Sequence, residues 1–64
     1  MTWEELCEKA KEMGFEVYST IIYIHYMAFT KEGSIWFEDD CGGSYCAYEN
    51  RTPEQMYQIM EALR

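Results

Sequence analysis

Few side chains in this sequence could perform chemistry: three cysteines, Cys7, Cys41 and Cys46, and one histidine, His25. A structural zinc ion needs four thiolate, imidazole or carboxylate ligands in a tetrahedral arrangement. Cys41 and Cys46 are close enough in the chain to share a site, but the paired C-x-x-C spacing that indicates zinc is missing. We therefore predict no bound metal, with Cys41 in a turn and Cys46 pointing into the core. A disulfide between them is conceivable across a hairpin, but we do not predict one.

The sequence also contains no catalytic motif around its single histidine. Histidine is the side chain that ordinarily titrates near neutral pH, but no serine, cysteine or acid stands at a motif-defining distance from His25. Asp39 and Asp40 precede Gly42 and Gly43, an arrangement typical of a turn rather than of an acid pair. The sequence predicts that the protein is not an enzyme, that it has no catalytic residues and that it uses no cofactor.

Size and charge restrict the classes of partner. With 64 residues the chain can form a single domain, 1–64, because so short a chain cannot bury two separate cores. A hydrophobic content of 48% and an aromatic content of 17% favour folding over disorder. The formal net charge of -7 disfavours nucleic acid and anionic membrane as partners, because both repel an acidic surface.

The N-terminal residues indicate a compartment. Residues 1–5 have neither the basic start nor the apolar stretch of a signal peptide, and the longest apolar stretch, 21–29, is too short to span a bilayer. An odd number of cysteines is a poor disulfide framework. We predict a soluble, cytoplasmic protein.

Capping patterns predict a helix at each end of the chain. Thr2 followed by Glu5 forms a capping box, and Gly14 supplies a left-handed residue that ends the helix, which we place at about 2–13. Thr52 caps the second helix, Pro53 suits its first position, and this helix is predicted at about 53–63. Each helix has one apolar stripe for burial.

Between the helices, β-branched and aromatic residues alternate with two turn signals, at 30–33 and 39–43. We predict three strands, near 20–29, 34–38 and 44–49, joined as an antiparallel meander. Residues 15–19 either extend the first strand or bend away from it, and we predict a bend near Ser19 and Thr20. The predicted fold is α+β, a two-layer α-β-β-β-α domain with both helices on one face of the sheet.

Alternation along the predicted strands assigns the two sheet faces. Alternate residues of the first strand form two sets. The set that contains Ala28 is assigned to the core, and the set that contains His25 and Phe29 is assigned to solvent. Central core positions are predicted to be Trp3, Leu6, Ile24, Phe37, Ile59 and Leu63. In the third strand we place Cys46 and Tyr48 inward. The residues left on the open face then form a candidate interaction surface: Tyr23, His25, Met27, Trp36 and Tyr45.

This open surface suggests two hypotheses of function. The first is a protein-interaction module that binds a protein partner or associates with itself as a homodimer, because exposed Trp and Tyr often carry interface energy. The alternative is that the acidic surface engages a basic or nucleic-acid-binding protein. The acids of that surface are Glu4, Glu5, Glu8, Glu12, Asp39 and Asp40. Cross-strand aromatic pairing that only stabilises the sheet is the competing structural explanation.

Two resemblances bear on these hypotheses. The element order is similar to that of double-stranded RNA-binding domains, but 51–58, at the start of the second helix, has one basic residue where those domains have several lysines. The segments Thr2-Trp3-Glu4-Glu5-Leu6, Lys11-Glu12-Met13-Gly14 and Thr52-Pro53-Glu54-Gln55-Met56 resemble short uncharacterised proteins encoded in bacterial and phage genomes. That resemblance implies no catalytic residues.

Overall fold

The structure is a computed structural model that describes residues 1–64. It has two helices and five antiparallel strands, so the fold is of the mixed α+β class, with five strands instead of the predicted three. In chain order the elements are α1 (Trp3–Glu12), β1 (Glu16–Tyr18), β2 (Ile21–Ile24), β3 (Met27–Thr30), β4 (Ile35–Glu38), β5 (Ser44–Tyr48) and α2 (Pro53–Leu63).

The predicted capping boxes begin both helices. In α1 the Glu5 amide donates to the Thr2 hydroxyl at 3.1 Å, and the Thr2 amide donates to the Glu5 carboxylate at 2.9 Å. Thr52 and Gln55 make the same reciprocal pair at the start of α2. These bonds satisfy backbone amides that a helix start otherwise leaves unpaired, so the predicted helix bounds are confirmed to within a residue.

The capping box of α1 has a measurable pH signature. The hydrogen bond from the Thr2 amide holds the pKa of Glu5 below its ordinary value of 4.5. A carboxylate with a lowered folded pKa stabilises the protein above the unfolded pKa, and this stabilisation is lost as the pH falls through the folded pKa. We expect the stability advantage of wild type over Glu5→Gln, measured by urea unfolding, to be present at neutral pH and to shrink below about pH 4.5.

Glu4→Gln is the matched control for this titration, because Glu4 lies in the same helical turn but makes no capping bond. Both variants lose one carboxylate charge in the first turn, so the difference between their unfolding curves measures the contribution of the capping bond. A Glu5→Gln difference that stays constant with pH would show that the carboxylate charge contributes nothing to the cap.

The sheet is a meander in which each strand pairs with the next one in the chain, in the order β1-β2-β3-β4-β5. The predicted single strand over 20–29 is wrong: β2 and β3 are a hairpin joined by His25 and Tyr26. His25 has a φ of 55°, which the first central residue of a favoured two-residue hairpin turn requires. No glycine or asparagine marks this turn, so the residue types gave no signal for it.

The open question about residues 15–19 is answered by another hairpin. Residues 16–18 form a separate short strand, β1, and Ser19 and Thr20 make the turn into β2. Ser19 has a φ of 57°, the same left-handed backbone as His25. The predicted bend is therefore a complete reversal of the chain.

The two turns with sequence signals are confirmed. In the first, the Gly33 amide donates to the Thr30 carbonyl at 3.1 Å. In the second, one carboxylate oxygen of Asp39 accepts the backbone amides of Cys41 at 2.9 Å and Gly43 at 2.8 Å. An aspartate that bonds to the backbone ahead of it is typical of turn initiation. Asp39 therefore stabilises the β4-β5 connection, and Cys41 lies in a turn as predicted.

The core is one cluster of fully buried side chains from both helices and from one face of the sheet. Leu6 and Ile24 were predicted as central and are buried, whereas Phe29 was placed towards solvent and is the largest fully buried side chain. That placement was wrong because the turn at 25–26 reverses the chain and changes which residues of β3 face inward. The cluster consists of Leu6, Ala10, Ile22, Ile24, Phe29, Ile35, Met56 and Met60.

The other predicted core residues lie at the edge of this cluster. Trp3, Phe37, Ile59 and Leu63 are only partly buried and pack against it. In α2 the fully buried positions are occupied by Met56 and Met60 instead of Ile59 and Leu63. Methionine has three rotatable bonds and adapts to an irregular gap, which suits the junction between a helix and a twisted sheet.

Candidate functional site

A β-bulge decides which side chains of β5 reach each face of the sheet. Ile35 pairs with Tyr48, but the next residue of β4, Trp36, pairs with Cys46, so Ala47 is an extra residue on β5. Directly paired residues share a face, which puts Cys46 on the open side and both Tyr45 and Tyr48 on the face that contributes Ile35 to the core. The inward prediction is right for Tyr48 and wrong for Cys46, because strict alternation fails at a bulge.

Ring contacts agree with this register. The Phe37 ring stacks on Tyr45 with centroids 6.0 Å apart, and it lies 6.2 Å from the ring of Tyr48 at a tilt. Met27 also pairs with Phe37 and packs against the core. The placement of Tyr45 and Met27 on the open face is therefore wrong.

The predicted interaction set thus divides into three groups. Tyr23 and Trp36 lie on the open face as expected, and His25 lies in an exposed turn at one end of the sheet. Met27 and Tyr45 belong to the opposite face. Their predicted partnership with Tyr23 depended on one continuous first strand and an unbulged third strand, neither of which forms.

A single row of side chains crosses the open face from edge to edge. Successive pairings place these residues side by side in neighbouring strands, in the order Glu16, Tyr23, Ala28, Trp36 and Cys46. Tyr23 is 41% exposed and Trp36 is 38% exposed. The small side chain between them, Ala28, was predicted to face inward, and the hairpin at 25–26 turns it outward instead.

The three central residues of the row, Tyr23, Ala28 and Trp36, line a shallow cleft of about 430 Å³. Ala28 is the floor between two aromatic walls, and Glu38 and the glycines of the β4-β5 turn close one end. Glu38 is two residues from Trp36 on the same strand and therefore points to the same face. This cleft joins apolar ring surface to an exposed carboxylate.

A second cleft, of about 460 Å³, lies between β5 and α2. Its cation, Arg51, already lies over the ring of Tyr48, with the guanidinium carbon 5.1 Å from the ring centroid. That contact is a cation–π interaction within the protein. The cation of the second cleft is therefore already paired within the protein.

The thiols and acids singled out in the sequence do not converge. All three cysteines are free, and burial raises the pKa of the Cys7 thiol, which makes it a poor nucleophile. The Cys46 thiol donates to the Tyr48 carbonyl at 3.2 Å. No group of three or more potential metal-ligating side chains lies together.

Three of the six acids of the alternative hypothesis have local roles. Glu5 is part of the cap, Glu8 lies 3.8 Å from Lys11, and Asp39 holds its turn. Lys9 and Lys11 interrupt the acids along α1. The helix surface is therefore of mixed charge.

Comparison of the chain with protein-family models, with curated proteins and with solved structures found no match. Neither helix has the length and apolar character needed to cross a membrane.

Proposed function

We propose that the chain is a non-enzymatic protein-interaction module that binds through the open face of its sheet. The observation that carries this proposal is the row in which Tyr23 and Trp36 stand exposed on either side of Ala28. Trp and Tyr are enriched among the few residues that supply most of the binding energy in protein interfaces. The proposal includes a two-layer arrangement in which both helices cover the other face, and their shared buried cluster supports it.

Structural pairing alone explains these two aromatics poorly. Cross-strand pairing stabilises a sheet when two large side chains are directly opposite each other. Tyr23 and Trp36 are instead both paired with Ala28, and their partners on the other side, Glu16 and Cys46, are not aromatic, so neither ring has an aromatic partner directly opposite on this face. On the helix side, by contrast, Phe37 and Tyr45 are paired and stacked. The open-face rings are therefore exposed without an aromatic partner on their own face.

Site-specific photo-crosslinking in the cells that naturally express the chain tests the proposal. A photoreactive phenylalanine analogue replaces Tyr18, which is 70% exposed at the edge of the open face. Tyr45, 53% exposed in the opposite edge strand but on the helix side, is the matched control position. Both changes put one aromatic ring in place of another and should preserve the fold.

We expect the probe at position 18 to capture a discrete protein and the probe at position 45 to capture far less of it. Adding Trp36→Leu to the position 18 probe should abolish the product, because this change removes an exposed ring without removing a core residue. Equal capture at both positions, or a product that survives Trp36→Leu, would contradict binding through the open face.

A further inference from the structure

The charges on the sheet identify the chemistry of the partner, if the open face binds one as proposed above. The five strands contain no lysine and no arginine. Their only charged residues are Glu16 and Glu38, and both are exposed on the open face. Within the strands the aromatic row is therefore accompanied by carboxylates and by no cation, in a chain whose net charge is already -7.

The spacing of the two rings suits a flat group. Tyr23 and Trp36 are two strands apart, and neighbouring strands lie about 4.8 Å from each other, so their backbones are roughly 10 Å apart. Ring surfaces and a flat group packed between them make contacts at about 3.5–4 Å on each side. The side chain of Ala28 leaves the space between the rings open, so an inserted flat group would touch both walls.

We propose that this cleft binds an arginine side chain from a basic segment of a partner protein, with its guanidinium between Tyr23 and Trp36 and paired to Glu38. Guanidinium is planar, stacks on aromatic faces and presents two parallel donors to a carboxylate. Lysine has the same charge but a compact ammonium, so it cannot fill a two-walled slot or bond to both carboxylate oxygens in one plane.

A second copy of the chain fits this face poorly. A two-fold dimer would place the same surface on both sides of the interface, bringing together Glu16 and Glu38 from each copy. No basic side chain of the strands could pair with these four carboxylates, and burying unpaired charge is costly. The open face is complementary to a cationic partner and not to itself.

Titration of ¹⁵N-labelled protein with a short peptide of alternating glycine and arginine tests the proposal. We expect the indole N–H resonance of Trp36 to shift, together with backbone amides of β2, β3 and β4. Trp3, which packs on the far side against the core, provides an internal control whose indole resonance should stay in place. The matching glycine–lysine peptide should bind about threefold more weakly, because it loses stacking and the paired hydrogen bonds.

Two variants with the same net charge distinguish binding at the cleft from nonspecific electrostatic attraction. Glu38→Gln should weaken binding of the arginine peptide roughly tenfold, because it removes the charged acceptor. Glu12→Gln changes the net charge by the same amount on an exposed position of α1 and should change the affinity less than about twofold. Trp36→Leu should abolish saturable binding, and the amide spectrum of each variant verifies that it is folded.

Equal affinities for the arginine and lysine peptides, or equal losses for Glu38→Gln and Glu12→Gln, would overturn the arginine site. The photo-crosslinking result then shows which idea has failed. A protein captured at position 18 without any peptide binding refutes the arginine inference and leaves the interaction module standing. A captured product that is a second copy of the chain does the same. No specific capture and no peptide binding would refute both.

Discussion

We expect the Phe29→Ala chain to be largely unfolded at 25 °C. Phe29 is 0% exposed and is the largest of the fully buried side chains. Replacing a buried phenylalanine by alanine typically costs about 3–5 kcal/mol, through lost burial and the cavity that remains. A core of this size supplies about 3–5 kcal/mol in total, so one such change can offset all of it. Loss of amide dispersion and of the cooperative urea transition would report the unfolding.

Two companion variants keep this prediction measurable. Phe29→Leu retains most of the volume, should cost less than about 1.5 kcal/mol and should give a complete urea transition. Tyr26→Ala removes an aromatic ring that is 74% exposed in the turn before β3 and should change stability by less than about 0.5 kcal/mol. If Phe29→Ala unfolded at the wild-type urea concentration, the inward direction of β3 would be refuted.

The second large effect is expected from Gly33→Ala. Gly33 has a φ of 95°, and a Cβ atom there would lie 2.8 Å from the backbone oxygen of Arg51 and 3.1 Å from its nitrogen. The Arg51 amide also donates to the Gly33 carbonyl at 2.9 Å, so this contact holds the β3-β4 turn against the segment that leads into α2. Backbone cannot move aside as a flexible side chain can, and we expect a loss of roughly 3 kcal/mol or more.

Gly42→Ala is the matched control for the crowding. Gly42 has a similar φ of 84°, but no atom lies within 4 Å of the position that an alanine Cβ would take, so alanine there adds only conformational strain. We expect a cost of about 1–2 kcal/mol from the left-handed backbone alone. Urea unfolding of both variants gives the difference directly. Equal losses would mean that the approach of Gly33 to Arg51 is not a tight contact in solution.

The helices and the two signalled turns could be predicted because their determinants are local. Thr2 with Glu5, and Thr52 with Gln55, satisfy backbone groups within one helical turn, so four residues of sequence contain the necessary information. The turns at 30–33 and 39–43 likewise contain glycine or aspartate with a backbone role. The α+β class followed from these elements.

The strand count could not be predicted in the same way. Ser19 and His25 adopt left-handed backbone, which is uncommon for any residue other than glycine, so the turns they form depend on strand pairing on both sides. Once the turn at 25–26 was missed, Met27, Ala28 and Phe29 were all assigned to the wrong face. A shift of one residue in a strand exchanges its two faces, and an unrecognised two-residue hairpin has the same effect.

Only part of the candidate site could be predicted from the sequence. Strict alternation in β4 correctly put Trp36 opposite in direction to Phe37. The bulge at Ala47 could not be anticipated, since alanine has no special backbone preference, and it changed the neighbours of Trp36 from Tyr45 to Cys46. The cleft floor at Ala28 was missed because of the unrecognised hairpin, and with it the slot between the two rings.

The sequential order of the strands also has a consequence for how the molecule assembles. Every strand finds its partner in the adjacent stretch of chain, across connections of two to five residues or so. Closing such small loops costs little entropy, and folds with low contact order reach the native state rapidly. Each new strand can pair with the strand that precedes it, so the sheet can form from any of its turns before the terminal helices pack against it.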